Sequence, residues 1–180
     1  MTETMRVRRA PLAILAVLLA VGLTGCGDFG NKRSTYTCPA ISTVPDLQSL
    51  AHLAGGPNGQ AVQTGGRIDD ATLECSREDK DRGVASVVTV SITALRNGPT
   101  VRHVELPYFV ALADASGNIL GKQQFPFALD FKGDDATMRA TEKVTVHLPL
   151  KNLQLANVYT VLVGFQLSQS ELEFNRARQK

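Results

Sequence analysis

Apolar residues recur with a period of two through the second half of this chain. In 84–95, "VASVVTVSITAL", Val84, Val88, Val90 and Ile92 fall on one face while Thr89, Ser91 and Thr93 fall on the other. That is the pattern of a half-buried strand, and Asn97, Gly98 and Pro99 supply the turn that ends it. The run 103–114, "HVELPYFVALAD", sets Leu106, Tyr108, Val110 and Leu112 against Phe109, Ala111 and Ala113, so both faces are apolar and a central strand is expected. After the turn "DASGN", 119–131 places Phe125, Phe127, Leu129 and Phe131 on one face, with Pro126 marking an edge or a bulge. These two runs predict a hairpin. Beyond the polar loop "KGDDATMRA", 141–150 alternates Val144, Val146, Leu148 and Leu150 with Thr145 and His147. The last run, 158–167, puts Tyr159, Val161, Val163, Phe165 and Leu167 on one face. Weaker strand signals lie at 67–76 and 61–63.

Strands at this spacing, joined by Gly, Asn, Asp and Pro turns, predict an all-β fold: an immunoglobulin/fibronectin-like antiparallel β-sandwich with one or two short helices. A small closed barrel is the structural alternative. One helix is expected in "VPDLQSLAHLA", where Leu47, Leu50 and Leu53 follow the start signal Pro45-Asp46. The other is expected in "LSQSELEFNRARQK", where Ser168 and Glu171 have capping-box spacing and Leu172 would pack on the sandwich.

The first 25 residues follow a different pattern. Arg6, Arg8 and Arg9 precede an apolar run from Ala10 to Leu23 that is too short to span a bilayer and ends in small residues, as an export signal does. Leu23-Thr24-Gly25-Cys26 resembles the lipobox of bacterial lipoproteins. In that class the signal is cleaved before the cysteine, whose sulfur carries diacylglycerol and whose new amino group carries a fatty acid such as palmitate. The resemblance thus makes Cys26 a lipidation site, and two or three buried chains anchor a protein firmly. Gly27, in place of an aspartate, favours the outer membrane. The expected organisation is a signal peptide over 1–25, an anchor and polar tether over 26–37, and one β-sandwich domain over 38–180.

Charge changes the picture once the signal is set aside. Residues 1–25 hold three of the 19 basic and one of the 17 acidic side chains, leaving 16 of each. The remainder is formally neutral, so its composition offers no argument for nucleic-acid binding. Its two cysteines, Cys38 and Cys75, lack a CxxC partner or a neighbouring histidine, and export to an oxidising compartment predicts that they pair as a disulfide.

Candidate chemistry is sparse. His52, His103 and His147 are far apart, with no HExxH spacing, so no metal site and no cofactor is expected. "GNILGK", 117–122, has one residue too few between its glycines for a phosphate-binding loop and Gln123 where Ser or Thr belongs; it reads as a hairpin turn. "GGPNGQAVQTGG", 55–66, reads as a flexible loop. Asp69-Asp70, Glu78-Asp79-Asp81 and Asp134-Asp135 are interleaved with Lys80, Arg82 and Lys132, as in solvated turns.

The lipobox, Cys38-Pro39, Cys75, the "LPYFVAL" block at 106–112 and the "YTVLVGFQLS" block that runs on to Arg176 together resemble a family of uncharacterised proteobacterial envelope lipoproteins. The resemblance covers nearly all of the chain after the signal. It singles out Pro107, Tyr108, Phe109, Glu171, Asn175 and Arg176 as a candidate interaction surface, with a packed strand and its C-terminal cap as the competing structural reading. The function expected is a non-enzymatic, periplasm-facing envelope lipoprotein, held at the membrane by its lipid, that binds another envelope protein. Two alternatives stay open: a periplasmic hydrolase using two of Asp69, Asp70, Asp134, Asp135 and the histidines, and a carrier of lipid or another ligand between the sheets.

Overall fold

The computed structural model describes residues 38–54, 61–77, 84–148 and 153–178, which belong to one compact unit. Cys26, the signal and the tether lie outside the described residues. In chain order the strands are β1 (Ala40–Thr43), β2 (Ser49–Leu53), β3 (Val62–Arg77), β4 (Val84–Arg96), β5 (His103–Glu105), β6 (Tyr108–Ala113), β7 (Ile119–Phe125), β8 (Ala128–Asp130), β9 (Thr137–Leu148) and β10 (Thr160–Phe165), followed by helix α1 (Gln169–Arg178).

The strands form two four-stranded sheets, ordered β1-β10-β6-β7 and β2-β3-β4-β9, with β5 and β8 as a separate two-stranded ladder. Every pairing is antiparallel except β1 with β10. The order β3-β4-β9 against β7-β6-β10 matches the A-B-E and C′-C-F courses of an immunoglobulin-like sandwich. The departure is at the place of strand G, which β1 fills from the other end of the chain.

The period-two pattern becomes the core directly. On β4 the even-numbered residues from Val84 to Arg96 face the opposite sheet and are buried, and on β9 Val144, Val146 and Leu148 join them. Tyr108, Val110 and Leu112 of β6 and Val161, Val163 and Phe165 of β10 meet them from the other side. All six residues of β6 are buried, as its two apolar faces predicted for a central strand.

Prolines and tertiary pairing reshape the expected runs. The hairpin forms between β6 and β7, with Asp114 Oδ1 accepting from the N–H groups of Ser116 and Asn118 at the turn. It breaks at Leu106-Pro107 on one strand and Pro126-Phe127 on the other, then resumes as β5 with β8. Pro126 has no N–H to give, so the ladder cannot continue through it.

Two expectations are corrected. The segment with Leu47, Leu50 and Leu53 is not a helix: Pro45–Leu47 makes one 3-10 turn and Ser49–Leu53 is strand. Pairing with β3 and burial of Leu50 and Ala51 outweigh a short leucine period, which fits either conformation. The glycine-rich stretch is likewise not all flexible loop; 55–60 lies outside the described residues, but Gly65 and Gly66 are buried mid-strand in β3. A Cβ on Gly65 would come within 2.5 Å of Leu50 O, and one on Gly66 within 2.7 Å of Leu106 Cδ1, so close approach explains both glycines. The weak signals at 61–63 and 67–76 prove to be parts of this one strand, bulged between Ile68 and Asp70.

Cys38 and Cys75 are disulfide-bonded, with Cα atoms 6.0 Å apart. Cys38 leads into β1 of one sheet and Cys75 sits on β3 of the other, so the bond joins the two sheets.

Candidate functional site

The two blocks carried by the family resemblance are neighbours. β6 and β10 pair in register, Tyr108 opposite Phe165 and Phe109 opposite Gly164. Tyr108 is fully buried, stacked on Phe125 at 5.4 Å and edge-on to Phe127 at 6.4 Å. Phe109 packs against Gly164 on the outer face of the sheet, under the Lys122 ammonium 4.2 Å from its ring. Pro107 gives its carbonyl to Gln166 N–H at 2.8 Å. Tyr108 and Phe109 are therefore buried in the packing of the sandwich, while Pro107 is half-buried.

The other three of that set dock α1. Glu171 closes the capping box, its Oε2 accepting from Ser168 N and Oγ, both at 2.8 Å, while Oε1 pairs with His52 Nδ1 at 2.9 Å. Asn175 is the buried residue of the helix and donates to Asp46 O at 3.0 Å and Ser49 O at 2.7 Å. Arg176 Nε reaches Asp46 Oδ2 at 2.9 Å. The expected C-terminal helix is present, held chiefly by polar contacts to β2 and the Pro45–Leu47 turn, with Leu172 only partly buried.

The titratable groups are dispersed. Asp69, at the β3 bulge, accepts from Thr93 Oγ1 at 2.6 Å and pairs with Arg67 at 2.9 Å and Arg139 at 3.6 Å. The Thr93 hydroxyl holds its carboxyl below the usual range; partial burial opposes this, and the two arginines add to it. Such a group contributes stability above the unfolded carboxylate value and loses it as pH falls through the lower folded value. Asp69→Asn is expected to cost about 1.5 kcal/mol at neutral pH. In urea titrations the gap from wild type should narrow below pH 4; a gap that stays constant would remove Asp69 from the acid response.

His103 pairs with Asp130 at 2.8 Å and Glu105 at 3.5 Å on the exposed β5–β8 ladder, and these carboxylates, Asp130 first, raise its pKa. Asp134 and Asp135 are exposed in the turn before β9. The described residues contain no cluster of three or more His, Cys, Asp or Glu groups placed to hold a metal.

Three features escaped the sequence reading. Arg96, 3 % exposed, continues the inward phase of β4 and donates to four main-chain carbonyls. Glu142 occupies an inward position of β9 opposite Val90; its Oε2, Tyr108 OH and Ser86 Oγ are buried without a hydrogen bond to protein atoms. Burial, reinforced by the Glu142 carboxylate, pushes the Tyr108 phenol well up. Period two signalled the inward placement of Arg96 and Glu142, since each keeps phase with its apolar neighbours.

The third is a pair of solvent-open grooves. One, of about 320 Å³, runs between α1 and the β2–β3 pair, with Leu95, Phe174, Arg67 and Arg178 at its margins. The other, of about 270 Å³, lies between the outer strands β7 and β9, with Val110, Leu112, Leu120, Val146 and Leu148 as its apolar lining. Asp69, Asp70, Asp134 and Asp135 line neither. Comparison of this chain with protein-family models, with curated proteins and with solved structures returned no match.

Proposed function

We propose that this chain is a lipid-anchored, periplasm-facing lipoprotein of the cell envelope whose β-sandwich binds another envelope protein and catalyses no reaction. Anchorage rests on the lipobox resemblance at Cys26, and the Cys38–Cys75 disulfide agrees with export to an oxidising compartment. Hydrolysis is the weaker reading because Asp69 is committed to Thr93 and two arginines, and none of the four aspartates considered for it joins His147 in lining the β7–β9 groove. The observation that carries the binding reading is the side of the sandwich on which no described strand pairs with the outer edge of β7. There β7, exposed along six of its seven residues, and β9 are both outer strands beside an apolar cleft.

Anchorage is tested by feeding labelled palmitate to expressing cells. Wild type is expected to take up label and fractionate with outer membranes, and Cys26→Ser to do neither. Labelling of Cys26→Ser would defeat the lipoprotein reading. Binding is tested by crosslinking intact envelopes before mild detergent extraction; no specific protein adduct under several conditions would defeat it.

A further inference from the structure

The two sides of the sandwich are finished differently. On the β1–β2 side, α1 lies against β2 and the Pro45–Leu47 turn, its Asn175 amide taking up two main-chain carbonyls there. On the β7–β9 side, no described strand pairs with the outer edge of β7. An outer strand of seven residues leaves alternate N–H and C=O groups for another chain to complete. Ile119 and Leu120, each 54 % exposed, stand at its start, and Leu120 also lines the adjoining cleft. Edges of this kind are ordinarily blunted or covered; on β7 the blunting is limited to a bulge at Leu120 and to Lys122, and no described strand covers it.

Charge selects the occupant. Lys122 is the one charged side chain of β7, and the described residues that line the cleft, His147 among them, include no carboxylate. Lys122 is steadied by Gln166 Oε1 at 2.8 Å and by the Phe109 ring, neither of which neutralises it. A second copy of this chain pairing about the middle of β7 would set Lys122 opposite itself, because it is the central residue of Ile119–Phe125. Like charges directly opposed across a strand pair are destabilising.

We infer that β7 is a strand-acceptor site for an extended acidic segment of a partner protein, which adds a strand beside β7 and lodges an apolar side chain in the β7–β9 cleft. The main-chain ladder supplies affinity that is indifferent to sequence, while the cleft and Lys122 select apolar and acidic residues. This deepens the protein-binding reading above and rests on it.

The test uses the full lipidated chain in detergent micelles with two fluorescent nine-residue probes, one alternating Val with Glu and the other Val with Lys. The Glu probe is expected to bind at least tenfold more tightly than the Lys probe, and to slow amide exchange along 119–125 and not along β2. Leu120→Glu is expected to weaken Glu-probe binding at least tenfold while leaving the melting temperature unchanged, since Leu120 is half exposed. Equal binding of both probes, no binding of either, protection confined to β2 or the α1 groove, or concentration-dependent dimers through β7 would each overturn the inference. Envelope crosslinking with Leu120→Glu separates the two levels. Loss of the wild-type adduct supports the β7 site; an unchanged adduct overturns it while leaving the protein-binding reading intact.

Discussion

Replacing Cys38 and Cys75 together by alanine is expected to lower the unfolding free energy by about 4 kcal/mol, or the melting temperature by roughly 10 °C. The loop they close has a sequence separation of 37, and cross-linking it removes chain entropy from the unfolded state. The effect should not be uniform. β1 is only four residues long and is the one parallel strand, attached at the edge of its sheet through Ala40 to Thr43 against Thr160 to Val163. Parallel pairing is slightly weaker per residue, and a strand this short cannot hold its place by ladder bonds alone. The disulfide fixes the residue two positions before β1 to the opposite sheet. Amide exchange over 40–44 should therefore accelerate first in the double variant, ahead of β4 and β6. Uniform acceleration across both sheets would show that the bond acts only through the unfolded chain.

Arg96→Ala is expected to cost roughly 3 kcal/mol, with little recovered by Arg96→Lys. The guanidinium sits at the end of the inner face of β4 with its Cζ 4.8 Å from the centroid of the Phe131 ring. It donates to Asp135 O at 2.8 Å, Pro99 O at 3.3 Å, Val101 O at 2.7 Å and Gly133 O at 2.6 Å. Two turns, 97–101 and 131–136, are thus held by one side chain. Carbonyl dipoles, with no carboxylate among these partners, offset the cost of burying the charge. Truncation would leave four acceptors to find other partners, whereas a lysine ammonium has three donors and none of the planar fork. Urea titration would measure the loss, and exchange in both turns would locate it. A lysine variant as stable as wild type would refute the fork argument.

How much of this was legible beforehand depended on whether the signal was local. The inward residues of β4, β9 and β10 were readable because alternation over many residues fits one conformation. The capping box at Ser168 and Glu171 was readable because both partners lie within one turn. Leu47, Leu50 and Leu53 misled because three leucines can satisfy a helix or a strand, and β3 decides between them from elsewhere in the chain. The candidate surface draws on contacts that the sequence does not display. Tyr108 and Phe109 belong to a strand with neighbours on both sides, and Glu171, Asn175 and Arg176 each bond to a residue that seats α1.

By itself the sequence determined the strand-rich class, the pairing of the two cysteines beyond Cys26, the central place of 108–113 and the C-terminal helix. These follow from residue periods, from turn chemistry and from there being two such cysteines to join. Only the tertiary structure decided that β1 completes a sheet beside β10, that Gly65 and Gly66 lie in close packing, that Arg96 ties two turns together, and that β7 is an outer strand among the described residues while α1 lies against β2. Each of these depends on segments far apart in the chain meeting in space, and a one-dimensional pattern carries no term for which distant partner a strand or a side chain will find.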